Sequence, residues 1–215
     1  MLTRFFAIAL LLFGTLTMGF AANANAQPVE GQDYALLPNP QPTGSGKKIE
    51  VLEFFWYGCS HCFDTHPHIK EWLKKVPKDV SFQYVPGIFR PNWIPGAKTF
   101  YTLEAIGQTG KLHDKVYDAI HLEQLDLTRD EVLFDWVAKQ GVDRKKFADT
   151  YNSFAVQNKA TKSELMSKAY SLQGVPALVV DGKYLVTGKM GGTPEGMLKT
   201  VDQLVEKIRI ERKKK

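Results

Sequence analysis

Cysteine is the scarcest informative residue in this chain: there are two in 215 residues, Cys59 and Cys62. So sparse a set excludes the disulfide-dense scaffolds that replace a hydrophobic core in small secreted domains, and it excludes a four-cysteine zinc site. Long apolar runs are equally rare. Beyond the N-terminal segment, no stretch approaches the roughly 20 apolar residues of a spanning helix. Charge is nearly balanced, with 28 Lys and Arg against 23 Asp and Glu, a net +5. Much of that surplus lies in the tail from Arg209 to Lys215. This tail reads as a solvated helix end, where cations suit the helix dipole. Basic residues form no stripe interleaved with aromatics, so no nucleic-acid partner is expected. Internal repeats and low-complexity segments are absent.

What is present begins with a targeting pattern. Arg4 supplies a positive start, Phe5 to Phe20 an apolar region, and Ala24-Asn25-Ala26 the small residues read by a signal peptidase. Cleavage is expected between Ala26 and Gln27. Gly14, Thr15, Thr17 and Gly19 interrupt the apolar region and argue against a retained anchor. The mature protein is therefore expected to be exported. Residues 27–48, rich in Pro, Gly and polar residues, read as an extended, mostly irregular lead-in.

Ile49 to Tyr57 is an apolar run broken by two glutamates, without helical spacing; its β-branched and aromatic content predicts a strand buried on both faces. Gly58 ends it, and a helix can start at Cys59, with a kink expected at Pro67. Val80 to Val85 alternates and predicts a second strand. From about 93 to 172 the spacing is helical. Thr128-Arg129-Asp130-Glu131 reads as a capping box, Gly141 as a C-cap and Asp143 as an N-cap, and a longer helix is expected to run to Leu172 and end at Gly174. Ala177 to Val180 and Tyr184 to Val186 flank Asp181-Gly182 as a hairpin. Thr193-Pro194 opens an amphipathic terminal helix. The order is α/β with a helical insertion in the middle.

The cysteine spacing carries the chemistry. Residues i and i+3 on the first turn of a helix are neighbours, so Cys59 and Cys62 can form a disulfide with little backbone movement. Such a short loop removes little entropy from the unfolded chain, which argues against a structural staple. Cys59 comes first, where free N–H groups and the helix dipole favour an anion, so its thiolate should be stabilised. Stabilising the thiolate favours the reduced form and makes the disulfide more oxidising. His61 adds a donor or positive charge in the same turn. Cys62, one turn deeper, should be the shielded resolving thiol. A zinc knuckle would need about four ligands, and His61, His66 and His68 are spread around the helix axis. His66 and His68 read as surface or capping side chains. Glu53 is out of place between Val51 and Phe55, because a carboxylate in a central strand is costly without a partner. Such an acid can relay a proton for Cys62; the bland alternative is a solvent-open or Lys-paired side chain.

The run from Val51 to Cys62, VLEFFWYGCSHC, resembles the active-site segment of the DsbA family of bacterial periplasmic dithiol oxidases. Gly174-Val175-Pro176-Ala177 is similar to that family's loop facing the active site, and the inserted helices match its architecture. This family is itself the standard illustration of the depressed cysteine pKa and oxidising potential invoked above. The resemblance implies a thioredoxin-like fold with an inserted all-helical domain. It divides the chain into a signal peptide (1–26), the lead-in (27–48), a thioredoxin-like part (49–90 and 159–215) and the helical insertion (91–158). By the same resemblance Cys59 is the nucleophile, Cys62 its buried partner, Pro176 a cis-proline beside the disulfide, and Val175 a source of backbone groups for a substrate strand. Glu53 becomes the buried acid beneath the site. Ser60 departs from the family's better-known Cys-Pro-His-Cys and leaves the degree of oxidising power open.

The implied activity is donation of the Cys59–Cys62 disulfide to reduced, newly exported proteins in the periplasm, with no cofactor and no metal. Reoxidation would fall to a DsbB-type membrane quinone-linked oxidase. The nearest rival is a reductase or isomerase of the same fold. Residues 27–48 are too few for the dimerisation domain of a DsbC-type isomerase, so a monomer is expected. A carrier of copper or zinc through Cys59 and Cys62 is the rival from another class, since thiolates are soft ligands.

Overall fold

The computed structural model describes residues 27–214; the expected signal peptide lies outside the described residues. The chain runs β1 (Ala35–Leu36), β2 (Ile49–Phe55), α1 (Ser60–Leu73), β3 (Val80–Pro86), a 3-10 turn (Pro91–Trp93), α2 (Ile94–Ala105), α3 (Thr109–His121), α4 (Asp130–Lys139), α5 (Arg144–Tyr151), α6 (Phe154–Ala169), β4 (Ala177–Val180), β5 (Tyr184–Thr187), the single-turn α7 (Gly188–Gly191) and α8 (Pro194–Lys213). Among these described helices none is long and apolar enough to cross a membrane.

The five strands form one sheet in the order β1-β5-β4-β2-β3. β2 pairs in parallel with β3, and antiparallel with β4. Every residue of β2 is buried, as its apolar run requires. Period-2 alternation sends its side chains into different cores. Ile49 and Val51 meet Ile69 of α1 and Val201, Leu204 and Ile208 of α8. Leu52 and Phe54 meet Leu37, Tyr170 and Leu172 on the opposite face. Phe55 and Tyr57 enter a third core, built mainly by α2 to α5 around Leu103, Leu112, Leu133 and Phe147. Each fully buried Leu, Ile or Phe contributes about 1.5–3 kcal/mol. Burial of this stripe, more than helix propensity, therefore holds α8 in place.

Several local expectations hold at the level of single hydrogen bonds. Asp143 accepts the Lys146 N–H at 2.6 Å and Thr193 accepts that of Gly196 at 3.1 Å, each capping its helix. Asp181 and Gly182 both adopt positive φ (52° and 63°), the conformation of a two-residue hairpin turn. Gly141, at φ 80°, closes α4.

Others are corrected. β2 stops at Phe55, because Trp56 to Gly58 turn towards α1. The lead-in contributes β1, which pairs with β5 through Ala35 and Leu36. The Thr128–Glu131 capping box does not form: Arg129 is the N-cap and no side chain caps it. The Thr128 hydroxyl and N–H both bond to Asp126 instead, a local turn that competes with the cap. α6 ends at Ala169, not Leu172, since Tyr170 and Leu172 turn into the sheet core and Ser171 takes φ 52°. α6 also crosses the boundary drawn at 158/159 without a break, packing on both α2 and β3.

Candidate active site

β2 delivers the chain to a short turn, Trp56-Tyr57-Gly58, whose glycine is required by its neighbour. A Cβ on Gly58 would lie 2.4 Å from the Trp56 ring, which stacks flat on Trp93 at 4.2 Å. The turn closes with the Cys59 N–H donating to Trp56 O (3.0 Å). Cys59 then sits at the N-cap of α1 in extended conformation, and its Sγ accepts the Cys62 N–H at 3.3 Å. A sulfur thus takes the place usually filled by Ser or Asp, and the helix's unsatisfied N–H groups converge on it.

The two thiols are driven apart electrostatically. Cys59 is half-buried, and its pKa falls from 9.0 to about 6. The largest cause is a hydrogen bond from the Cys62 thiol, which outweighs partial burial; the N–H groups of Cys62 and His61 and the His61 charge add to the lowering. Cys62 is fully buried, and burial pushes its thiol well above 9.0, helped by Cys59 and by Glu53. One turn of helix therefore holds a ready thiolate beside a reluctant one.

Glu53 is 1% exposed and neither carboxylate oxygen has a protein partner. Burial first, and the Cys59 charge second, raise its pKa from 4.5 to about 8. In register it sits between Tyr84 on β3 and Leu178 on β4. The solvent-open or Lys-paired alternative is not what the strand provides. The Val175–Pro176 peptide is cis, and Val175 O lies 3.5 Å from Cys59 Sγ, with the thiol as donor. The structure thus brings together Cys59, Cys62, Glu53, Val175 and Pro176. His61 is exposed at the rim. From Cys59's end of the helix a groove of about 730 Å³ runs past His61, Val175, Pro176, Met190 and Met197.

Sequence reasoning missed the neighbourhood behind the thiols. His66, read as a surface or capping residue, is buried, and its Nε2–H donates to Asp114 at 2.7 Å. His68 is half-exposed beside Glu195. Tyr57 OH shares a 2.6 Å hydrogen bond with His113 Nδ1, and His121 Nε2 donates to Tyr57 O at 2.7 Å. The available signal was the four-residue spacing of His113, Tyr117 and His121, a second stripe beside the apolar Leu112, Val116 and Ile120. Among the described residues no group of three His, Cys, Asp or Glu is placed to hold a metal ion.

Comparison with known proteins agrees with this geometry. Residues 50–199 match the family model of the DSBA-like thioredoxin domain. The thiol:disulfide interchange protein DsbA of Burkholderia cepacia is 38% identical over 200 residues, covering 93% of this chain and 94% of the relative. That of Pseudomonas aeruginosa is 41% identical over 206 residues, covering 96% and 97%. The crystal structure of Pseudomonas aeruginosa DsbA superposes with a TM-score of 0.82 at 42% identity, covering 85% of this chain and 95% of that one. DsbA from Xylella fastidiosa gives 0.80 at 30% identity, covering 86% and all of its chain. A shared sequence along nearly the whole length of these proteins, on the same backbone path and with a thiol pair poised for exchange, means that the chain belongs to the DsbA family of thiol:disulfide interchange proteins.

Proposed function

We propose that this thiol:disulfide oxidoreductase works in the periplasm as a dithiol oxidase, with Cys59 as nucleophile and Cys62 as resolving thiol. The observation that supports it most directly is the opposition of the two sulfurs: Cys59 at about 6, Cys62 well above 9.0. A substrate thiolate attacks Cys59 Sγ of the disulfide, and Cys62 leaves as a thiolate that takes up a proton. The substrate's second thiolate then attacks the substrate sulfur of the mixed disulfide, and Cys59 leaves as its stabilised thiolate. Two electrons have passed from the substrate dithiol to the Cys59–Cys62 pair. Cys59 is the better leaving group, so the second step is the one its low pKa favours.

In this reading His61 adds charge stabilisation to Cys59, Glu53 exchanges a proton with Cys62, and Val175 and Pro176 frame the incoming substrate strand. The groove beyond them takes the flanking substrate residues. Residues 49–90 with the C-terminal elements form the thioredoxin-like part, and the helices from 91 the insertion. The N-terminal targeting pattern supports export, and a DsbB-type quinone-linked membrane oxidase would return the electrons onward. The protein acts as a monomer, without metal or cofactor.

The test is the reduction potential of Cys59–Cys62 in glutathione buffers. A value towards the roughly −120 mV characteristic of DsbA is expected; a value near the roughly −270 mV of thioredoxin would make the enzyme a reductase.

A further inference from the structure

Among the described residues, seven buried side-chain polar atoms lack a protein partner, and five of them fall on four residues: both Glu53 oxygens, His66 Nδ1, His113 Nε2 and the Tyr117 hydroxyl. Buried polar atoms are nearly always matched, by protein or by internal water, so their concentration in one place calls for an explanation. These residues are contiguous. The His66 ring lies 4.7 Å from that of His113 and 5.1 Å from that of Tyr117, and His113 lies 4.7 Å from Tyr84, the cross-strand neighbour of Glu53. Tyr117 also feels the charges of both Cys62 and Glu53. At the outer end, His66 and Tyr117 line a cavity of about 280 Å³ that opens past Asp114.

The protonation states give this chain of groups a direction. Burial keeps His66 below its ordinary pKa, so it is neutral near pH 7. Asp114 is an ionised acceptor: partial burial is the largest single influence and raises its pKa, but the hydrogen bonds from His66 and Lys70 together with their nearby charge hold it below the ordinary value. His66 Nε2 therefore carries the hydrogen donated to Asp114, and Nδ1 is left as a buried, unprotonated acceptor. We propose that Tyr117 and His66, bridged by water, conduct protons between the Glu53–Cys62 pair and the solvent at Asp114. This assignment rests on the dithiol-oxidase reading. When the substrate opens the disulfide, the Cys62 thiolate takes the proton of the Glu53 carboxyl, and the Glu53 carboxylate is reprotonated from solvent along this path. In reoxidation the proton leaves Cys62 by the same route. The other titratable or charged groups around the path are Tyr57, Tyr84 and His113, which burial keeps neutral, and Lys70, Glu71 and Asp118 at its mouth. Tyr117 and His66 are positioning residues here; neither touches the reacting sulfurs' substrate.

The experiment follows Cys62's attack on a glutathione mixed disulfide at Cys59 by rapid mixing, in water and in deuterium oxide, across the neutral pH range. Tyr117→Phe and His66→Gln are expected to slow this step by at least about tenfold and to raise its solvent isotope effect, the scale of a lost proton relay. Thiolate titration of Cys59 and the equilibrium reduction potential should stay at their wild-type values, because a relay alters rates only. Tyr117→Phe removes one oxygen and keeps the ring, so it reports even where His66→Gln fails to fold. Wild-type rates and isotope effects in Tyr117→Phe would overturn the proposal. A reductant-like potential in the wild-type protein would instead overturn the underlying oxidase reading, and the two failures are separable.

Discussion

Glu53→Gln should stabilise the reduced protein by an amount that depends on pH. At pH 7 the unfolded chain holds this side chain ionised, having passed its ordinary value of 4.5, whereas the folded chain, at about 8, keeps it protonated. Folding must therefore take up a proton, at about 1.4 kcal/mol for each pH unit above 4.5, or about 3 kcal/mol at pH 7. Glutamine cannot ionise in either state. Like the neutral acid it finds no partner in the strand, so the penalty for burying a polar group largely cancels between the two proteins. The sign follows from a folded value raised above the unfolded one. Wild type and variant should be equally stable near pH 4, diverge from about pH 5, and stop diverging past about pH 8. Urea unfolding of both proteins across that range, under reducing conditions, measures the gap. In the oxidised protein the gap should shrink, because the Cys59 charge that helps raise Glu53 is gone. A difference that does not change with pH would refute a buried, neutral Glu53.

Two further outcomes check the site and the scaffold. In the reduced protein, ultraviolet thiolate absorbance should titrate with a midpoint of about 6 and vanish in Cys59→Ser; Cys62→Ala, which removes the donor, should move the midpoint upward, since the hydrogen bond from the Cys62 thiol is the largest cause of the lowering. Asp143→Ala should lower stability by about 1 kcal/mol in urea unfolding, as for other side-chain N-caps, whereas Thr128→Ala should change it by less than about 0.5 kcal/mol because Thr128 caps no helix.

Much of the site was legible because its chemistry is local. Cys59 and Cys62 are one helical turn apart, and Glu53 betrays itself as an acid in a strand with no polar face. The same holds for Asp143, Thr193 and Asp181-Gly182, where a side chain or a positive φ acts within a few residues. What residue spacing alone could not supply depends on distant pairing. His66 gains Asp114 across 48 positions, and Cys59 gains Val175 O across 116. No spacing within α1 announces the first. The second came from likeness to a family and not from the residues themselves. Thr128 failed for the opposite reason: two local bonds competed for one hydroxyl, and the sequence pattern named only one of them.

The strand order has a consequence for how this enzyme is made. β4 and β5, near the end of the chain, lie inside the sheet, between β1 and β2. Until residues 177–187 are available, β2 lacks one of its neighbours and Val175 cannot face Cys59. The reactive pair is thus synthesised early and housed late, and contacts over so many positions are slow to close. During that interval both sulfurs are open to the same thiol exchange that the finished protein performs on others. Scarcity is the safeguard: with two cysteines in the chain, a single intramolecular pairing exists, and it is the correct one. A catalyst of cysteine pairing in other proteins has no pairing problem of its own.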